Sequence, residues 1–287
     1  MKNIVLFIGM FFILGCSKSI MSSSQKHIVI IAGQSQAVGR ANNNELPDEI
    51  TNYQYRRTYV WINTFDSTQL SWPNFNIPNY KQINGWEFFD IKKNQSFSQE
   101  PGQHGIEPYL AYNFEKKFPN DTLYLVKFAY GGIPLNNNPN FLDWSPNSKN
   151  EMYSYFVNKY LKPTIQNLPN AKLDCIYWAQ GETDAQTKEY ANNYYTNLNG
   201  LYSQLFNDVP TLIKTPKVIL QCKNYDPLNA PYTNIVRQAE QKFCNESYNM
   251  ATLINCDSIP TNKNDIHYSS YGYKLLALEL IKFINAN

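Results

Sequence analysis

The chain has 287 residues, with 25 basic against 23 acidic side chains and a formal net charge of +2. That length buries a sizeable core in one large domain or two small ones. The near-balance of charge, with no basic stripe, excludes a nucleic-acid partner. Charged residues make up only 17% and aromatics 15%, tyrosine leading, a surface chemistry suited to sugars because a tyrosine ring offers an apolar face while its hydroxyl stays wet.

In chain order, Lys2 precedes an apolar run from Ile4 to Leu14 that is too short to span a bilayer and has the form of a signal h-region. It ends on Gly15-Cys16, with Ser17-Lys18 following. A small residue before a cysteine at that place resembles a bacterial lipoprotein signal. Cys16 is then the lipidated first residue, 1–25 is leader and tether, and 26–287 is the folded domain of an exported protein, periplasmic or at the cell surface. Such a protein meets the membrane through its lipid anchor alone. Cys175, Cys222, Cys244 and Cys256 remain; they allow up to two disulfides or buried free thiols. Their spacing is not that of a metal site, and neither metal nor cofactor is implied.

The first strand-like run, 28–32, leads into Gly33-Gln34-Ser35-Gln36, with Gly39 beyond. Further continuous apolar runs occupy 123–129, 173–179, 218–222 and 251–255, with a weaker one at 58–63. Helical periodicity fills 107–117, 151–167, 187–206, 230–246 and 271–284. This alternation predicts one doubly wound α/β domain of about five parallel strands with helices on both faces. The stretch 42–105, rich in Asn, Pro and aromatics, reads as a long insertion carrying a short strand or hairpin near the mouth of the site.

Ligands of such a sheet bind at the carboxyl ends of its strands. Those ends carry Ser35 after the first run, Gly131-Gly132 after the second, Gln180-Gly181-Glu182-Thr183-Asp184 after the third, and Asp257, Asn264, Asp265 and His267 after the last. This set fits acyl transfer. Ser35 needs a base to become a nucleophile. Of three histidines, His27 opens the first strand at the wrong end, His104 lies in the long loop as a poorer candidate, and His267 is on the correct edge. A carboxylate must orient the imidazole, and Glu182 and Asp265 are the candidates. Donors for an oxyanion are the N–H groups of Ser35 and Gly132 and the side-chain amide of Gln180. Singly, each has a plainer role: Ser35 as a helix cap, the glycine pair as a turn, Glu182 as a first-turn acid, and His267 as a loop residue.

"AGQSQAVGR" resembles the GQSN-M-x-G block of the sialate O-acetylesterase (SASA) and acetylxylan esterase-like carbohydrate esterases, a branch of the SGNH hydrolases. "VKFAYGGIPL" resembles their K-x-A-x-G-G-S/T block, and "HGIEPYLAYNF" their G-P/V-E segment. "WAQGETDA", Trp178 to Ala185, is the most specific match, and "DIHYSSYGY" resembles the closing histidine block. The resemblance covers 28 to the last helix. It implies a three-layer α/β/α flavodoxin-like fold and metal-free removal of O-acetyl groups from an acetylated carbohydrate.

Four positions depart from the pattern, among them Ala37 where the family has Met. Gln36 stands for Asn, Ile133 for Ser or Thr, and Asn264 occupies the position three before the histidine where the superfamily has Asp. In sugar acetylesterases of this type the glutamate of the Q-G-E block can serve as the carboxylate. Glu182 is therefore the expected partner of His267, with Asp265 second. Two other readings are open: a surface carbohydrate-binding lipoprotein that has lost the chemistry, and a lipid or thioester hydrolase of the same superfamily.

Overall fold

The computed structural model describes residues 24–62, 85–91, 102–224, 228–248 and 250–284. The leader with Cys16, and residues 63–84 and 92–101 of the long insertion, lie outside the described residues.

The run around Ile30 forms β1 (Lys26–Gly33) and continues into a four-residue turn of helix, α1 (Ser35–Val38). Next come β2 (Ala41–Asn42), α2 (Asp48–Thr51), β3 (Thr58–Ile62), β4 (Gly85–Phe88), β5 (Gln103–His104), α3 (Glu107–Lys117) and β6 (Thr122–Ala129). The 151–167 periodicity is one helical segment in three parts. α4 (Met152–Tyr155) passes through a π-helical stretch, Phe156–Leu161, into α5 (Lys162–Asn167). Pro163 near the start of α5 lacks the N–H an uninterrupted α-helix would use, and the widened π-turn just before it takes up the mismatch. The second half runs β7 (Lys172–Ala179), α6 (Lys188–Asp208), β8 (Lys217–Leu220), α7 (Thr233–Glu246), β9 (Ala251–Ile254) and α8 (Ser270–Leu280).

The main sheet has seven strands in the order β4-β3-β6-β1-β7-β8-β9. All neighbouring pairs are parallel except β3–β4, which is antiparallel. The weak run at 58–63 is thus a sixth parallel strand, and β4 extends the sheet beyond the five expected. β4 is also the strand anticipated within the insertion. It pairs with β3 at the sheet edge, while β2 and β5 make a separate two-stranded ribbon.

β1 shows why the apolar runs are continuous. It lies between β6 and β7, so both of its faces are covered. Ile28, Ile30 and Ala32 pack toward Phe156, Tyr194, Leu198 and Val236 of the α4–α7 side. Val29 and Ile31 pack toward Leu110 and Phe114 of α3 and Tyr273 and Leu276 of α8. Three layers result. At the amino end of the sheet His27 is buried, its Nδ1 2.8 Å from Asp174 Oδ2, remote from the strand ends that carry the loops. The four cysteines of the domain are free thiols, all buried.

Candidate active site

Ser35 is the first residue of α1, at the carboxyl end of the central strand. It is not a cap: the cap position is Gln34, which makes no side-chain capping bond. No hydrogen bond ties its hydroxyl among the described residues, and 9% of the residue is exposed. The turn that presents it is braced by the segment at the end of β7. Gln34 N–H donates to Ala179 O (2.9 Å), and its side-chain amide donates to Glu182 Oε2 (2.7 Å). Gln34 Oε1 accepts from Thr183 N–H (3.4 Å) and from Gln180 Nε2 (3.3 Å).

The far end of α1 is held by packing. Gly39 has φ +90°, and a Cβ there would fall 2.2 Å from the nitrogen of Gly105. Only glycine allows both the left-handed turn and this backbone approach. Beneath α1, Lys127 of β6 is fully buried in an ion pair with Glu107 of α3 and donates to Val38 O (2.7 Å). Burial pushes the Lys127 ammonium well below its usual range.

His267 sits in the loop between β9 and α8. Asn264 adopts the left-handed region (φ 58°) and turns the chain so that Asp265 comes back against the histidine. Asp265 Oδ1 is 2.8 Å from His267 Nδ1 and also accepts the His267 N–H at 3.3 Å. The carboxylate beside the imidazole is therefore Asp265, and the expected order of Glu182 before Asp265 is reversed. The reason is local: an asparagine tolerates the left-handed turn and moves the carboxylate one position along the chain. Burial lowers the imidazole below its ordinary value, and the Asp265 charge pulls it part of the way back.

Glu182 is spent elsewhere. Its two oxygens accept from Gln34 Nε2 and from Lys223 N–H (3.3 Å), tying the turn before Ser35 to the end of β8. Burial raises its pKa. Gln180 is a second correction. Its Nε2 donates to Asp184 Oδ2 (2.6 Å) and Ile133 O (3.2 Å) as well as to Gln34, so the amide is committed to bracing loops and is not available to an oxyanion. Gly132 is exposed, with φ 74°, on the loop after β6.

Asp184, for which the sequence suggested no role, fastens that loop. It accepts from Leu135 N–H (2.8 Å), Asn136 N–H (2.9 Å) and Gln180, and burial lifts its pKa to about 6. Its place in "GETDA" was the only signal. His104 is buried in β5, between Ser270 Oγ (3.0 Å) and Asn43 Oδ1 (3.1 Å), with Tyr109 also bonded to Ser270. Desolvation drops its pKa to about 3, so this Ser270–His104 contact is a neutral clamp on the start of α8. Among the described residues, no group of His, Cys, Asp and Glu is gathered as a metal site.

The mostly parallel sheet, with helices on both faces, brings a serine to the end of its central strand and a histidine–aspartate pair to the loop after its last strand, a layout suited to ester hydrolysis. Residues 25–285 match the family described as "Carbohydrate esterase, sialic acid-specific acetylesterase" (SASA). The chain belongs to that family, and it is a carboxylic ester hydrolase of the carbohydrate acetylesterase class. No curated protein sequence matches. In fold it is similar to a protein of Arabidopsis thaliana (TM-score 0.64, 16% identity, 90% of this chain and 97% of that one). It is similar also to NanS (TM-score 0.64, 15% identity, 92% and 99%). A carbohydrate acetylesterase from Xanthomonas citri gives TM-score 0.55 at 14% identity over 90% of this chain and 55% of that one.

Proposed function

We propose that the protein removes acetyl groups from an O-acetylated sugar by a serine mechanism. Ser35 attacks the acetyl carbonyl as His267 Nε2 takes the hydroxyl proton. The N–H groups of Ser35 and Gly132 receive the developing oxyanion. Collapse expels the sugar oxygen, which takes that proton from His267 and leaves Ser35 acetylated. Water then attacks the acetyl group, His267 accepts its proton and returns it to Ser35, and acetate leaves. Asp265 holds the ring with its proton on Nδ1 and stabilises the imidazolium of both steps.

The observation that carries this reading is the short His267–Asp265 contact on the loop strapped to the turn of Ser35. Asp265 replaces Glu182 as the orienting carboxylate, and Gln180 is left out of the oxyanion site because its N–H groups are already engaged.

The family description makes O-acetylated sialic acid the first substrate to try, with acetylated xylan beside it. Acetate release from one of them by the wild type and none by Ser35→Ala, with matching circular dichroism, is the expected result. Activity that persists in Ser35→Ala refutes the assignment. Sugar binding with no acetate release would favour the carbohydrate-binding lipoprotein, and preference for longer acyl chains in a p-nitrophenyl ester series the lipid hydrolase.

We also read Cys16 as a lipid anchor for an exported enzyme. Membrane-fraction protein carrying diacylglycerol on Cys16 by mass spectrometry, and its release by Cys16→Ala, is the expected outcome; an unmodified soluble chain overturns it.

A further inference from the structure

We infer that Gln36 is a positioning residue that sets His267 against Ser35. This rests on the reading of Ser35 and His267 as nucleophile and base.

Gln36 follows Ser35 directly in α1 and is 2% exposed. Its Nε2 donates to the carbonyl of Ile266 at 2.9 Å, a contact across 230 residues of chain that ends on the peptide adjoining His267. Its own backbone carbonyl accepts from Tyr273 OH on α8 (3.4 Å), so both ends of the residue bind the histidine side of the molecule to α1.

The loop needs such a tie. Lys263 and Asn264 are exposed, and Asp265, Ile266 and His267 are half-buried. The bonds from Asn262 N–H to His267 O (2.8 Å) and from Asp265 N–H to Asn262 O (3.2 Å) are internal and shape the loop without fixing where it stands. Lys223 Nζ grips its root at Cys256 O and Ile259 O. Beyond that root, a further link to the nucleophile segment is Asn262 Nδ2 to Arg40 O, longer at 3.4 Å. Gln36 reaches the peptide beside the imidazole directly.

The other half of the amide points the same way. Gln36 Oε1 is buried with no hydrogen-bond partner. A buried unpaired carbonyl is unfavourable, and an apolar side chain of equal length would avoid it. An amide in this place is explained by what its N–H holds. Misplacing a catalytic group by about 1 Å costs on the order of 100-fold in rate, so this bond acts on the acylation step.

The test uses purified wild type, Gln36→Met and Gln36→Asn. Methionine keeps length and burial but cannot donate; asparagine keeps the amide but is one methylene too short to reach Ile266. Two readouts are taken: kcat and KM on the acetylated substrate, and the rate at which diisopropyl fluorophosphate labels Ser35, which needs the Ser35–His267 pair but no sugar. Both variants are expected to lose about 10- to 100-fold in kcat and in labelling rate, with KM within about two-fold and the thermal midpoint little moved. Rates within about two-fold of wild type for either folded variant overturn the inference, as does a parallel rise in KM with kcat unchanged. A wild type that is labelled but frees no acetate removes the proposed substrate only, and the labelling series still decides for or against Gln36. A wild type that is not labelled overturns the nucleophile and the role of Gln36 together.

Discussion

The buried pair of Lys127 and Glu107 gives the sharpest energetic prediction. Both residues are 1% exposed, and Lys127 reaches from the sheet to the end of α1 through Val38 O. Replacing Lys127 with Met strands the Glu107 carboxylate, one oxygen of which already lacks a hydrogen-bond partner. Breaking a buried pair from one side costs about 3–5 kcal/mol, a large share of the roughly 5–15 kcal/mol by which a domain is stable. The reverse change, Glu107→Leu, should cost less. Burial already favours the neutral amine of Lys127, and that amine still donates to Val38 O. The double variant should recover most of the loss, since an apolar pair of similar volume is often neutral. Urea unfolding followed by tryptophan fluorescence measures all three. Recovered stability in the double variant should not restore full turnover, because Val38 O has lost its anchor beneath the nucleophile turn. A loss under about 1 kcal/mol for Lys127→Met would refute the reasoning, because it would mean that water reaches the pair.

Four further outcomes follow from the site and its supports. The acid limb of kcat/KM should lie below the ordinary histidine value of about 6.5, because His267 must be neutral to accept a proton and burial favours its neutral form. Asp265→Asn removes the charge that pulls this pKa back up. It should move the limb to still lower pH while cutting kcat by about 100- to 10,000-fold; an upward move of the limb would contradict the pairing. Gly39→Ala should destabilise by about 2–5 kcal/mol, combining a left-handed backbone with a Cβ forced against Gly105, and a neutral effect in urea unfolding would refute the close packing. Asp184→Asn puts an amide N–H₂ among three donors and should cost about 1–3 kcal/mol. It should lower turnover as the Gly132 loop loosens, and unchanged kcat would separate that loop from catalysis.

The order of elements was legible in the sequence because a parallel sheet covered on both faces writes each strand as a continuous apolar run, as 28–32 and 123–129 show. Strand ends could therefore be read off as candidate site positions, and Ser35, Gly132 and His267 do lie on the turns and loops at those ends. Edge elements carry no such pattern: β4 pairs on one side only and sits in an aromatic, proline-rich stretch. What each polar side chain of "GQSQ" and "WAQGETDA" does was not written locally. Glu182, Gln180 and Gln34 all offer acceptor oxygens and the two glutamines offer donors as well, and their roles follow from which partner lies within about 3 Å across the sheet. Likewise Asp265 and Glu182 differ little as sequence. The left-handed turn at Asn264 gives His267 to the nearer carboxylate, and the contact of Gln36 with Ile266 joins two segments at opposite ends of the chain. The sequence by itself determined the strands and the residues at their ends; tertiary structure alone decided the pairing, because hydrogen bonds depend on distances that only the folded chain sets.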